Sequence, residues 1–355
     1  MEDQTILQDI FFVSLYGGVT MLNVVAALYL VLRRSNAIAP EVTSPVRLRR
    51  WAAAFMFVAA LSHVFWMFYA SHPSPVSYVI VCSLDILLLI PTIAGILLSM
   101  LQDRRRRIWP VLVWLAPALV LIALCIIRGD DALMAPISIY VIALYVLFLL
   151  YVFFAVRRYG RWLRDNYADL EHKEVWQSFL ILAVFLLFFV IYSSTAEDSK
   201  VLVYLLQVDC IIIVGLLLWR VETLQVLVAD NAPAEDVQKV PQTVPVNIGP
   251  LLERHCVQAQ LYLQHDLTLS QLAQTIGTNR SYLSQYFAQQ GLTYNSYING
   301  LRVNHFIGLY HQAVADQRII KAQQLASESG FHSYSTFSAA FKQKTGKTVT
   351  EWMRS

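Results

Sequence analysis

Charge is scarce in this chain. Asp, Glu, Lys and Arg make up 14% of its 355 residues, against about 25% in an ordinary soluble domain. Cysteine is also sparse. Cys82, Cys125, Cys210 and Cys256 form no C-x-x-C pair, so neither a disulfide framework nor a zinc finger is indicated. The first residues include Glu2, Asp3 and Asp9 and no basic stretch, so they do not read as a cleaved signal peptide. There is no Walker loop, kinase motif or phosphoacceptor arrangement, which disfavours a sensor kinase.

What replaces the missing charge is apolar. The apolar share is 57% against roughly 45–50% in a typical soluble domain, and the mean hydropathy is +0.51. The excess is concentrated in seven runs: residues 10–32, 51–70, 78–100, 109–127, 132–156, 175–192 and 201–219. A hydrocarbon core about 30 Å thick needs roughly 20 residues of helix, and backbone groups in lipid must be satisfied within the segment. The sequence therefore predicts seven membrane-spanning helices.

Charge in the loops sets an orientation. Arg33, Arg34, Arg47, Arg49 and Arg50 fill the first loop, Arg104 to Arg107 the third, and Arg157, Arg158, Arg161, Arg164 and Lys173 the fifth. The intervening loops hold only Arg128 and Lys200. By the positive-inside rule the N-terminus is outside and the C-terminus cytoplasmic. Trp51, Trp109, Trp162, Trp176 and Trp219 lie near the cytoplasmic ends, where interfacial anchors belong. Pro91, Pro117 and Pro136 interrupt spans and are either tolerated bends or hinges for a signalling motion.

Beyond residue 219, Val221, Leu224 and Val228 recur at helical spacing. This predicts that the last span continues for two turns and offers a seam to a second copy. Residues 229–249 contain Pro233, Pro241 and Pro245 among Glu, Asp and Gln and read as a linker. The expected layout is a membrane domain over 1–228, this linker, and a soluble domain over 250–355.

The soluble part contains a duplication. Ala273 and Gly277 match Ala326 and Gly330 at an offset of 53; Leu283 and Phe287 match Phe337 and Phe341 at an offset of 54. Each copy has a short apolar helix with an inward Ala, a Gly four residues on, and a second helix with apolar residues at i and i+4. The Ala permits close crossing of two helices, and the Gly supplies the positive φ of a tight turn. The second helix keeps one apolar side and offers the other to a major groove. Each copy is followed by Gly and Thr: Gly291 and Thr293, then Gly346 and Thr348.

Residues 330–352, GFHSYSTFSAAFKQKTGKTVTEW, resemble the GF-x-S-x-S-x-F-x-x-x-F-K-x-x-x-G-x-T-P pattern of the AraC/XylS family of bacterial transcription regulators. YNSYINGLRVNHF is similar to the helix that joins the two helix-turn-helix units in that family. The resemblance covers about 100 residues, from near Ile248 to the end. It implies promoter DNA as a partner, with RNA polymerase beside it, and a bacterial source. Val349 stands where the family usually has Pro. Thr348 and Glu351 are spaced for a capping box, so Val349 falls at a first helical position where Pro is favoured but dispensable. Seven spans take the place of the family's soluble effector domains, so its effector knowledge does not carry over.

Residues 250–355 hold nine Lys and Arg against five Asp and Glu. Arg280, Lys321, Lys342, Lys344 and Lys347 are placed to meet phosphates, as are helix N-termini at Thr268 and Ser333. Thr268 opens a Thr-x-x-Gln box with Gln271. The expected base readers are Asn279, Arg280, Ser281 and Gln285 in the first unit and His332, Ser333, Tyr334 and Thr336 in the second; bidentate pairing favours Arg for guanine and Asn or Gln for adenine. Their alternative is a solvated helix face. Ala273, Gly277, Phe287, Gly330, Phe331, Phe337 and Phe341 read as structural, and Arg302 as a structural or phosphate contact.

Ionisable groups inside a membrane default to functional hypotheses. His63, Asp85 and Asp209 all fall about seven to eight residues from the outer ends of their spans, roughly 11–12 Å deep at 1.5 Å per residue. They form either an outward-facing pocket for a cation, amine or other polar ligand, or a hydrogen-bonding network that pins the bundle. A metal variant would add Cys82, but neither a metal nor a cofactor is expected.

The sequence thus predicts an all-α protein: a seven-helix bundle in the bacterial cytoplasmic membrane followed by a cytoplasmic tandem helix-turn-helix domain. It would act as a one-component transcriptional regulator without catalysis, with promoter DNA, the lipid bilayer, an unidentified small ligand or membrane signal, and a second copy of itself as partners. The alternative is a seven-span transporter or membrane enzyme with a regulatory module, but nothing in transport needs tandem Ala-x-x-x-Gly units. Asp85 and Asp209 match an intramembrane protease pair in composition only, since neither sits in a Gly-x-Gly-Asp context.

Overall fold

The computed structural model describes residues 8–33, 35–184, 200–227, 247–317 and 321–354. Within them the chain is all-helical, without strands, and it divides into two compact units. The first gathers the described residues of Met1–Arg158 and Val175–Leu227; the second gathers those of Tyr159–Glu174 and Val228–Ser355.

Among the described residues, six helices are long and apolar enough to cross a membrane. They are α1 (Ile10–Leu32), α2 (Val46–Ser71), α3 (Pro75–Met100), α4 (Trp109–Arg128), α5 (Met134–Asn166) and α6 (Lys200–Thr223). Residues 176–184 are helical; residues 185–192 of the expected sixth span lie outside the described residues, as do most of the 229–249 linker and Val228.

Local chemistry sets the helix ends. Asp9 caps α1 by accepting from Phe11 and Phe12 N–H. Ser74 and Ser77 form a capping box with Pro75 at the first position of α3, where a missing N–H costs nothing. Gly129 (φ 69°) closes α4 in the left-handed conformation. Gly95 has no side chain, and Trp51 fills that space: a Cβ there would sit 2.3 Å from the indole. Small residues allow this kind of close helix approach in membranes. Large apolar side chains such as Phe11, Trp114, Val120, Leu147 and Phe154 face outward, an arrangement that water would penalise and lipid would not.

The three prolines differ. Pro136 lies in the first turn of α5, where no intrahelical bond is lost, so it makes no kink. Pro117 lies inside α4. Pro91 follows a π-helical turn, Asp85–Leu89, in the middle of α3.

The last span does not continue for two turns. α6 stops at Thr223, and the next residues are bound to loops: Val226 N–H donates to Thr43 O at 2.7 Å, Leu227 N–H to Gln102 Oε1 at 2.8 Å, and Gln102 Nε2 to Gln225 O at 2.9 Å. These contacts satisfy the backbone without a helix. Val221 and Leu224 are 0% exposed, so they offer no seam to a second copy.

Glu222, beside them, is buried and was not anticipated. It accepts from Tyr29 Oη and from the Ala37 and Ile38 N–H groups, and its carbonyl accepts from Asn36 Nδ2. The first loop is thereby fastened to the end of α6.

The second unit has two cores joined by one helix. Ile248–Leu252 is α7, continued by a π turn over Glu253–Gln258; the helix thus takes in two residues of the expected linker. Then come α8 (Leu269–Thr275), α9 (Arg280–Gln289), α10 (Tyr294–Ala315), α11 (Ala322–Glu328), α12 (Tyr334–Thr345) and α13 (Val349–Arg354). Leu272, Ala273, Leu283, Phe287, Tyr294 and Ile298 build one core. Val303, Phe306, Ala326, Phe331, Phe337 and Phe341 build the other. The α10 helix contributes to both.

Candidate nucleic-acid interface

The first helix-turn-helix unit is α8 and α9 around Gly277 (φ 72°); the second is α11 and α12 around Gly330 (φ 88°). Thr268 and Gln271 form the expected capping box at α8. Thr348 N–H donates to Glu351 Oε2 at 2.8 Å and Glu351 N–H to Thr348 Oγ1 at 3.3 Å, so Val349 opens α13 without needing to be Pro. Backbone bonds to Glu351 hold its carboxyl below the usual carboxylate range.

In the first unit Asn279 is the N-cap of α9, and its Oδ1 accepts from Tyr282 N–H at 2.8 Å. Capping occupies the atom that would accept from an adenine amine. Arg280 is half-buried, while Ser281 and Gln285 are exposed one turn apart. Tyr282 is 56% exposed on the same first turn and was missed. The signal was present: Leu283 and Phe287 fix the inward face, which leaves Tyr282 outside.

In the second unit Ser333 caps α12 by accepting from Thr336 N–H at 3.3 Å. His332 and Tyr334 are exposed, and Tyr334 leans on Phe337 with ring centroids 5.6 Å apart. Thr336 is half-buried and its Oγ1 bonds Asp169 Oδ1 at 3.2 Å. Lys321, at the start of α11, and Lys342 and Lys347 are exposed. Lys344 is held elsewhere, with Nζ donating to Gly300 O and to Asn304 Oδ1, so it fastens α12 to α10 and is not free for phosphate.

Arg302 is structural. It is fully buried and donates to Tyr262 O at 2.7 Å, Gln264 O at 2.6 Å and His265 O at 3.2 Å. Its guanidinium also lies over the Phe331 ring at 5.7 Å. Burial lowers its pKa, but three carbonyl partners are what a buried guanidinium requires. Cys256 is fully enclosed nearby, and burial pushes its thiol up to about 11.

In the first compact unit, Asp85 sits in the π turn of α3 and accepts from Ser62 Oγ at 2.6 Å and Trp66 Nε1 at 2.8 Å. His63 lies between Ala59 O (2.8 Å from Nδ1) and Gln207 Oε1 (3.3 Å from Nε2). Asp209 is buried and its Oδ2 has no hydrogen-bond partner. The fold thus joins α2 to α3 through Asp85 and α2 to α6 through His63. It assigns Asp209 to neither pair.

Residues 272–355 match the family described as a helix-turn-helix domain. Over 121 residues, 33% of this chain, the sequence is 27% identical to an uncharacterized HTH-type transcriptional regulator of Staphylococcus aureus strain MRSA252. It is 26% identical over the same length to one of strain COL. The chain spans about a sixth of the length of these curated relatives, 16%. No solved structure matches.

Proposed function

We propose that this protein is a membrane-embedded one-component transcriptional regulator that couples sensing in its helical bundle to sequence-specific DNA binding. The observation that carries this reading is the pair of helix-turn-helix units, each with a buried apolar side and an outward polar side. The readers we assign are Arg280, Ser281 and Gln285 on α9, His332 and Ser333 just before α12, and Tyr334 and Thr336 in its first turn. Asn279 contributes through its amide nitrogen, and Lys321 and Lys342 meet phosphates. Tyr282 joins the first set.

The loop charges support an N-out, C-in arrangement in the bacterial cytoplasmic membrane, which puts these helices on the side where the chromosome lies. The sensing half rests on His63, Asp85 and Asp209. A π turn at Asp85 marks a place where helix geometry is adjusted for more than span formation, and an unbonded buried carboxylate oxygen such as that of Asp209 needs a partner.

Genome-wide mapping of DNA bound by the intact protein tests the whole. Sharp peaks are expected, and reporters built on those sites should lose their response in Asp85→Asn or Asp209→Asn. No peaks, together with no salt-dependent duplex binding in vitro, would sink the reading.

A further inference from the structure

The second unit contains a segment that the sequence assigns to a loop between spans. Tyr159–Glu174 groups with the helix-turn-helix residues, although it lies outside the family match over 272–355. Ala168 is 1% exposed and belongs to the core formed by α8, α9 and the start of α10. Its carbonyl accepts from Asn295 Nδ2 at 2.6 Å and Asn299 Nδ2 at 2.9 Å, and Asn295 also reaches Tyr167 O at 3.2 Å. Tyr167 forms an antiparallel backbone bridge with Thr268, the N-cap of α8. Asp169 then reaches the second helix-turn-helix pair, where its Oδ1 accepts from Thr336 Oγ1 in the first turn of α12.

Asp169 is the telling residue. It is 5% exposed. Its hydrogen bonds come from neutral donors, the Thr336 hydroxyl and the Glu171 N–H, and among the described residues it joins no ion pair. The buried Arg302 guanidinium interacts with it electrostatically, but its hydrogen bonds rest on these neutral donors alone. Glu171, two residues on, has a buried Oε2 without a hydrogen-bond partner. The site Asp169 faces, the N-terminal turn of α12, is where a phosphate oxygen is favoured by helix N–H groups and dipole. Asp169 presents the same chemistry there: an anionic oxygen accepting from Thr336.

We propose that the 166–174 segment is an intramolecular stand-in for the DNA backbone, docked on the helix-turn-helix domain through Ala168 and holding Thr336 with Asp169, and that DNA must displace it to reach α12. This rests on the DNA-binding reading above. The docked segment keeps the regulator in a low-affinity state, and release of the segment between the fifth and sixth spans raises affinity.

The test uses the full chain in nanodiscs and a pool of random-sequence duplex DNA at low salt. This probe reports phosphate contacts, because they dominate non-specific binding. Asp169→Ala is expected to tighten binding on the order of tenfold, the worth of a hydrogen bond to a charged group. Asp169→Asn keeps an acceptor for Thr336 and removes the charge, so it should tighten binding as well, by less; a purely structural Asp169 would give no gain in either variant. Wild-type affinity, or weaker, in both variants overturns the proposal. Absence of binding by wild type and both variants removes the DNA-binding reading itself.

A second measurement is independent of affinity. In an Asp169→Cys, Thr336→Cys double variant, oxidation should form the 169–336 disulfide, identified by peptide mapping. Added DNA should reduce its yield severalfold. A yield that DNA leaves unchanged, or a disulfide that never forms, overturns the proposal.

Discussion

Gly277 and Gly330 hold equivalent turns, but a methyl group would meet different surroundings at each. Both have positive φ, at 72° and 88°. A Cβ at Gly277 would enter open space, whereas at Gly330 it would fall 2.8 Å from the Leu263 backbone. Gly277→Ala is expected to cost about 1–2 kcal/mol, the penalty of the left-handed conformation. Gly330→Ala adds a clash with backbone, which has no rotamer to escape into, at about 1–3 kcal/mol more. Hydrogen exchange on the full chain checks this: protection of α11 and α12 should fall much further in Gly330→Ala than protection of α8 and α9 in Gly277→Ala. Equal losses would mean that the close approach to Leu263 carries no energy. The sequence shows both glycines and their spacing. It does not show Leu263, because that approach joins residues far apart in the chain.

At the scale of elements, the helices with their own internal signals were legible, and those shaped by distant partners were not. Ala, Gly and an apolar i, i+4 pair define both helix-turn-helix units, and the structure has them where the repeat puts them. Val221 and Leu224 carry the same spacing signal, yet the helix ends at Thr223. The backbone donors of Val226 and Leu227 go to Thr43 and Gln102, and no local pattern encodes that. Tyr159–Glu174 falls within the fifth loop, whose reading rests on Arg157, Arg158, Arg161, Arg164 and Lys173. Its attachment to the second unit depends on one small residue, Ala168, and two asparagines from another helix. The clamp after α6 is testable. Gln102→Ala removes the acceptor for Leu227 and the donor to Gln225, so the Leu227 amide should exchange on the order of tenfold faster, equivalent to about 1.4 kcal/mol, while α6 amides stay protected. An unchanged Leu227 rate would show that the Gln102 bonds do not hold this segment.

For the whole molecule, orientation is the property most open to direct measurement. Alkaline phosphatase fused after Arg107 should be inactive and after Asp130 active, following the charge of the loops; the reverse pattern would invert the proposed topology and strand the helix-turn-helix domain on the wrong side. Chain connectivity carries a further consequence. The second unit is assembled from Tyr159–Glu174 and from residues after Val228, so a cut between them does not liberate a complete unit. A fragment beginning at Val228 would lack Ala168 and Asp169 and leave the Thr336 hydroxyl uncovered. Synthesis imposes the same separation in time. At about 5–20 residues per second, the ribosome reaches Ile298, the last residue of the core that Ala168 joins, roughly six to twenty-five seconds after Glu174. Throughout that interval Ala168 has no core to enter, and the nascent chain must hold its docking segment in waiting.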